Sequence, residues 1–181
     1  MKNSNYIELQ VDGKERYIKT GNRFIIPDYR RDTFIYYMFE CVAIGKNFIS
    51  PPTIKKQFQN KVKVWLINFN LRPDEGENGF YQECNDDKTE IVRFYQGTDY
   101  QGADYKFADK STDNLFMIFN TRNNYEFLGL FRPQPAISTT DYIYVQKFIK
   151  VADDIRFTPS HPNNKQGIGV VDWHALFSIK K

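Results

Sequence analysis

Apolar and polar residues alternate through the middle of the chain, from about residue 61 to residue 157. Residues 61–69 show this best, because lysine and valine alternate in the four positions before Trp65. A period of two is typical of a half-buried strand. Polar turns rich in Asn and Asp separate several such segments, which indicates hairpins, since these residues tolerate the backbone angles of tight turns. The predicted strands cover residues 61–69, 80–84, 89–95, 115–119, 125–131 and 142–150, with turns at residues 85–88 and 121–124.

The first sixty residues carry a mixed pattern. Short strands are predicted over residues 6–11, 16–19 and 24–26. Asp32 and Thr33 suit the start of a helix, and apolar residues spaced three or four apart extend that helix through Ile44. Prolines that precede a polar segment predict a second, short helix over about residues 51–60.

These elements predict a single domain over residues 1–181, a length that is sufficient for a proper core. In this domain, residues 1–60 contribute strands and a helix that pack on a β-rich core formed by residues 61–181. The expected fold class is mainly β (α+β), predominantly antiparallel, with one or two N-terminal helices.

Composition narrows the function only slightly. Aromatic residues make up 17% of the chain, which favours strands, an interaction surface, or both. The net charge of +3 is compatible with a polyanion partner but excludes the strong bias of a histone-like protein. The two cysteines, Cys41 and Cys84, cannot form a zinc quartet, and no apolar stretch approaches membrane-spanning length, so a cytoplasmic protein without membrane contact is expected.

One set of residues fits a metal-dependent nuclease pattern. Asp74 follows a proline, and Asp86 and Lys88 lie further along, so that the two carboxylates would hold Mg²⁺ while the lysine orients the attacking water. This chemistry needs Asp86 and Lys88 on a strand, whereas they lie in a turn-like tetrapeptide. His161 and His174 form no known metal-binding or nucleophile-activating spacing.

Basic and aromatic residues also interleave, as a surface for nucleic acid requires. Lys61, Lys63 and Trp65 share one face of their strand by period two, and Arg93 and Tyr95 share a face of the next hairpin. Arg122 lies in the following turn. A solvated sheet face with Trp65 in the core is the competing interpretation.

The order of elements from residue 63 onward resembles a β-rich, PUA-like module that accompanies HNH nuclease domains in bacterial restriction-type proteins. The similarity rests on Val64-Trp65 entering a strand and on Tyr125-Glu126-Phe127-Leu128-Gly129-Leu130-Phe131. It covers about half of the chain, residues 63–157, and includes the segments 87–91, 95–97, 115–119 and 142–149. The chain carries no HNH signature.

The resemblance implies a barrel-like domain that binds DNA and accepts a modified or flipped base in an aromatic pocket. In that setting Trp65 would stack on the base, with Tyr81 or Tyr95 opposite it. Asn68 or Asp99 would read the base edge. Phosphates would be held by Lys61, Lys63, Arg93 and Arg122.

Three functions follow as hypotheses. The first is a non-catalytic DNA-recognition module of a bacterial or phage defence system, without a cofactor and with a nuclease or other defence protein as partner. The second is a small Mg²⁺-dependent endonuclease that uses Asp74, Asp86 and Lys88. The third is a protein-interaction module, such as a phage inhibitor of host defence, in which the aromatic surface is an interface hot spot.

Overall fold

The computed structural model describes residues 5–40, 62–69, 80–95, 115–137 and 144–157, together with residue 159. Ten strands and one helix lie in this part of the chain. Their bounds are β1 (Tyr6–Glu8), β2 (Arg16–Lys19), β3 (Arg23–Ile25), α1 (Arg31–Phe39), β4 (Val62–Ile67), β5 (Phe80–Cys84), β6 (Glu90–Tyr95), β7 (Leu115–Asn120), β8 (Glu126–Pro133), β9 (Tyr144–Ala152) and β10 (Asp154–Phe157). The fold is mainly β, as predicted.

A mixed sheet of six strands organises the molecule, in the order β4-β7-β8-β9-β6-β5. Its pairs are antiparallel except that β4 runs parallel to β7. In the described part of the chain, β4 and β5 form opposite edges and are not paired with each other, so the sheet does not close into a barrel there. Two smaller sheets pair β1 with β3 in parallel and β10 with β2 antiparallel.

Two apolar clusters lie on opposite faces of the six-stranded sheet. Alternation along β4 separates them, because Val64 and Leu66 belong to the first cluster, whereas Trp65 and Ile67 belong to the second. The first cluster also contains α1 and residues of β2, β3 and β10, so the N-terminal elements pack directly on the sheet. Both clusters are rich in phenylalanine, so much of the aromatic content of the chain serves to pack the core.

Helix α1 differs from its prediction at both ends. Arg30 occupies the N-cap position without a side-chain cap, and the Asp32 carboxylate instead accepts from the backbone N–H of Thr33. The helix ends at Phe39 because Glu40 adopts a left-handed conformation with φ of 50°, and its N–H donates to the carbonyl of Tyr36. The continuation of the predicted helix beyond residue 40, and the predicted second helix over residues 51–60, lie outside the described residues.

The strand predictions are confirmed with shifts of one to three residues at most ends, and β2 and β5 have the predicted bounds. Strand β10 was absent from the predicted elements, because Asp153 turns the chain sharply after β9 and leaves only four residues for it. The expectation of a predominantly antiparallel fold did not specify the parallel pairings, which are β4 with β7 and β1 with β3. No helix among the described residues is long and apolar enough to span a membrane.

Candidate nucleic-acid interface

Trp65 and Arg93 meet on the second face of the sheet, although β4 and β6 are not neighbouring strands. The Arg93 guanidinium lies 5.3 Å from the centre of the Trp65 ring. Phe148 and Phe116 pack against the same indole, with ring centres 4.8 and 5.9 Å away. Trp65 is only 5% exposed, so stacking on a base would require these neighbours to move.

A pocket opens at one end of this face. We call this the turn end of the sheet, because the β5–β6 turn at residues 85–89 and the β7–β8 turn at residues 121–125 both lie there, beside the end of β4. The pocket has a volume of about 450 Å³, within the range of ~300–1,000 Å³ that is common for ligand sites. The described residues that line this turn-end pocket are Phe69, Gln82, Glu83, Cys84, Asn85, Asp86, Lys88, Asn120, Glu126 and Leu128.

The most unusual group in the turn-end pocket is a buried carboxylate. Glu126 is 3% exposed, and its two oxygens accept hydrogen bonds from the Lys88 ammonium and the Asn123 amide. Lys88 is itself 39% exposed at the mouth of the pocket. Burial of a carboxylate is costly unless it is paired in this way, so the pocket keeps a fixed negative charge beside a fixed positive one.

The backbone around this pair adopts conformations that L-residues rarely take. Lys88, Asn124 and Tyr125 have φ angles of 57°, 50° and 50°. The Tyr125 side chain holds its turn in place, because its ring stacks on Phe34 at 4.1 Å and its hydroxyl donates to the Tyr29 carbonyl at 2.6 Å. Such positions cost about 1–3 kcal/mol each and persist where surrounding packing enforces them, as it does here.

Two further ionisable groups lie near the pocket. Burial raises the pKa of the Cys84 thiol, which therefore stays neutral in neutral solution. Burial also lowers the pKa of Lys150, whose ammonium lies 3.2 Å from the Asp153 carboxylate and 5.6 Å from the centre of the Phe131 ring. The nearby Lys150 ammonium favours the thiolate of Cys84, but burial is the larger influence on that pKa.

Several residues predicted from the sequence meet at the turn end. Arg122 is exposed in the β7–β8 turn, and its N–H donates to the Asn120 side chain at 3.1 Å. Asn68 directly precedes Phe69 of the pocket, and Asp86 and Lys88 line the pocket. Asp86 and Lys88 lie in a turn, as their composition predicts, and Lys88 pairs with Glu126.

Other predicted residues cannot be placed in this site. Lys63, Tyr81 and Tyr95 lie in β4, β5 and β6, where the structure describes their backbone alone. Outside the described residues lie Lys61, Asp74, Asp99, His161 and His174. Among the residues that the structure does describe, no three His, Cys, Asp or Glu side chains come together as a metal site would need.

Sequence reasoning missed Glu126, Asn120 and Phe69 as site residues. Glu126 carried a signal, because it is a charged residue that opens a strand and is followed directly by five apolar positions, Phe127 to Phe131. Asn120 and Phe69 carried no such signal, since both are ordinary residues near strand ends in the sequence. Only the pairing of the strands places them in one pocket.

A comparison of the whole chain with known protein families finds none whose model matches it, and no curated protein matches it significantly.

Proposed function

We propose that the protein is a DNA-recognition module that contacts nucleic acid through the turn end of its six-stranded sheet. The observation that carries this proposal is the polar pocket of about 450 Å³ at the turn end, which Lys88 lines, together with the exposed Arg122 in the neighbouring β7–β8 turn. Cations near a pocket can hold the phosphates of a nucleic acid while the pocket receives one of its bases. Proteins that recognise nucleic acid use this arrangement.

Trp65 and Arg93 take a supporting role in this proposal. The Arg93 guanidinium packs over the buried Trp65 indole and adds positive charge to this face of the sheet. Phe69 is the ring that lines the pocket itself, and it is therefore the better candidate for stacking.

The finer fold assignment belongs to the proposal as well. We infer a PUA-like, barrel-like arrangement from the resemblance over residues 63–157. Strand β8 supports it, because the register shifts once against β7 and once against β9, and such irregularities bend a sheet towards closure. The same resemblance favours DNA over RNA, a bacterial or phage defence setting, sensitivity to a modified base, and a nuclease or other defence protein as partner.

NMR chemical-shift mapping tests the proposed interface directly. With a short DNA duplex added to the ¹⁵N-labelled protein, amide signals of residues 85–89 and 120–126 should shift, because these residues form the turn end. Signals of β2 and β10 should stay in place, since these strands lie on the opposite face of the sheet. Shifts confined to β2 and β10, or no shifts at all, would reject the proposal.

A second candidate function is the Mg²⁺-dependent nuclease. It is favoured by one observation, that Asp86 and Lys88 line the same pocket as the buried carboxylate of Glu126. In that reaction Asp86, with Asp74, would hold the metal, which would activate water for attack on a phosphodiester, and Lys88 would orient that water. Incubation of the protein with plasmid and Mg²⁺ tests this candidate. The parent must cut the plasmid, and Asp86→Asn must not.

A further inference from the structure

The small sheet formed by β1 and β3 has an open edge beside an apolar groove. We propose that this edge and groove bind an extended segment of a partner protein, which adds a strand to β1 and carries an apolar residue next to a basic one. The inference goes beyond the proposed function and does not rest on it, because the groove and the turn-end pocket share no lining residue.

The backbone of β1 can accept a further strand. On the side of β3, the Leu9 N–H donates to the Ile25 carbonyl at 3.1 Å. Because consecutive residues of a strand point their backbone groups to opposite edges, Tyr6 and Glu8 direct theirs away from β3. That outer edge pairs with no other strand in the part of the chain that the structure describes. An unpaired edge of this kind is a template for pairing with another chain.

The groove lies where β1 and β3 end. It has a volume of about 430 Å³, and its apolar lining includes Val11, Ile25, Pro27 and Tyr37. Ile25 leaves 44% of its surface exposed, and large apolar side chains that stay exposed beside a groove mark interaction sites. A segment that extends along β1 can place one apolar side chain in this groove. Strand addition gains its specificity from such side-chain pockets.

Glu8 determines which segment fits. It is exposed, and it is the only charged side chain among the described residues that line the groove. It lies beside Ile25 in the register of the two strands, so the charge and the apolar surface share one face. A charged residue on an edge strand discourages indiscriminate pairing, and Glu8 therefore favours a segment that carries Lys or Arg. The same charge repels the phosphates of a nucleic acid.

The end of β1 is held in place before any partner arrives. Arg16 is buried, and its Nη2 donates to the carbonyl of Gln10 and, at 3.1 Å, to the carbonyl of Tyr37 in α1. The Glu40 carboxylate fixes the residues that follow, because it accepts from the N–H of Asp12 at 2.6 Å. An edge that is ordered in advance lowers the conformational entropy that binding costs.

A library of hexapeptides with blocked ends provides the probe. The parent should bind peptides that place Lys or Arg next to an apolar residue in preference to those that place Asp or Glu there. Glu8→Lys should reverse this preference and weaken binding of the tightest basic peptide by about fivefold or more, because an attraction becomes a repulsion. Glu15→Lys is the matched control, since Glu15 is also exposed but lies outside the described groove lining, and it should keep the preference of the parent.

Hydrogen exchange distinguishes strand addition from simple filling of the groove. With the tightest peptide bound to the parent, the amides of Tyr6 and Glu8 should gain protection, because they form the outer edge. The amide of Leu9 should change little, since it is already bonded to Ile25.

Four results would overturn the inference. They are no peptide binding by the parent, a preference of the parent for acidic peptides, an unchanged preference in Glu8→Lys, and binding without added protection at Tyr6 and Glu8. DNA binding at the turn end is a separate outcome. Its failure would overturn the proposed function and leave the peptide site standing.

Discussion

At the scale of single residues, Gly129 shows how closely the backbone and one side chain share space beside the site. Its φ is 126°, and a Cβ added there would lie 2.8 Å from Cε of Lys150 and 2.9 Å from the carbonyl oxygen of Ala152. The Lys150 chain therefore crosses directly over this glycine on its way to Asp153. Glycine is required at position 129 because of the positive φ angle and because a Cβ would clash with Lys150 and Ala152.

Gly129→Ala should lower the free energy of unfolding by about 3 kcal/mol, from backbone strain and overpacking together. Urea denaturation measures the change. Gly21→Ala is the matched control, because Gly21 has a φ of 92° with no atom within 4 Å of its added Cβ. That variant should lose only about 1 kcal/mol. Equal losses in the two variants would show that contact with Lys150 contributes nothing.

Tyr125 couples the stability of the turn end to alkaline pH. Burial raises the pKa of its hydroxyl from 10.0 to about 12. The folded protein thus holds this proton more tightly than the unfolded chain does. The resulting stability is complete below pH 10 and is lost as the pH rises from there towards 12.

The free energy of unfolding should therefore fall between pH 10 and 12 by up to about 2–3 kcal/mol more in the parent than in Tyr125→Phe. The variant should start lower by about 1 kcal/mol, because it lacks the hydrogen bond to Tyr29. Urea denaturation at several alkaline pH values gives both quantities. Parallel pH profiles for the two proteins would contradict the role assigned to Tyr125.

At the scale of elements, sequence periodicity predicts the hairpins well because their contacts are local. Strands β5 and β6 meet through a short turn, so alternation and turn residues suffice to define both. The parallel pairing of β4 with β7 joins segments about fifty residues apart, and nothing in either segment specifies the partner. The end of α1 was misjudged for a related reason, since Glu40 leaves the helix to make contacts with a distant loop.

Glu40 joins α1 to the loop between β1 and β2. Its Oε1 accepts from the backbone N–H groups of Asp12 and Gly13 at 2.6 and 2.8 Å, and Nη2 of the buried Arg16 lies 3.4 Å away. The carboxylate thus ties the C-terminal end of α1 to this loop and pairs with a buried guanidinium.

Glu40→Ala should cost about 3 kcal/mol, because it removes one of the two carboxylates that pair with the buried Arg16 and leaves two N–H groups without an acceptor. Hydrogen exchange should increase most in α1 and in β1. Glu8→Ala, which removes an exposed carboxylate from β1, serves as the control and should leave exchange in α1 unchanged. Unchanged exchange of α1 in Glu40→Ala would show that the helix is held by its apolar face alone.

At the scale of the whole molecule, the candidate site was only partly predictable. Period two predicts which residues of one strand share a face, but it does not predict that Trp65 of β4 meets Arg93 of β6. The pocket itself depends on three separate strand ends coming together, which a single sequence does not encode locally. Thus the sequence predicts Arg122 as a phosphate-binding residue and Lys88 as a residue of the nuclease alternative, whereas the buried carboxylate of Glu126 emerges only from the fold.

The central claim is that the turn end of the sheet holds DNA phosphates. The most direct test is the salt dependence of duplex binding, measured by fluorescence anisotropy for the parent, Arg122→Gln and Arg132→Gln. Both arginines are exposed, but Arg132 lies near the other end of β8, about 20 Å away by the strand rise.

The parent should bind duplex DNA with an affinity that falls steeply as salt increases. Arg122→Gln should weaken binding and reduce the slope of log affinity against log salt by about 0.9, the value of one phosphate contact, whereas Arg132→Gln should leave both unchanged. Equal slopes for the parent and Arg122→Gln, or no binding of DNA by the parent, would contradict the account.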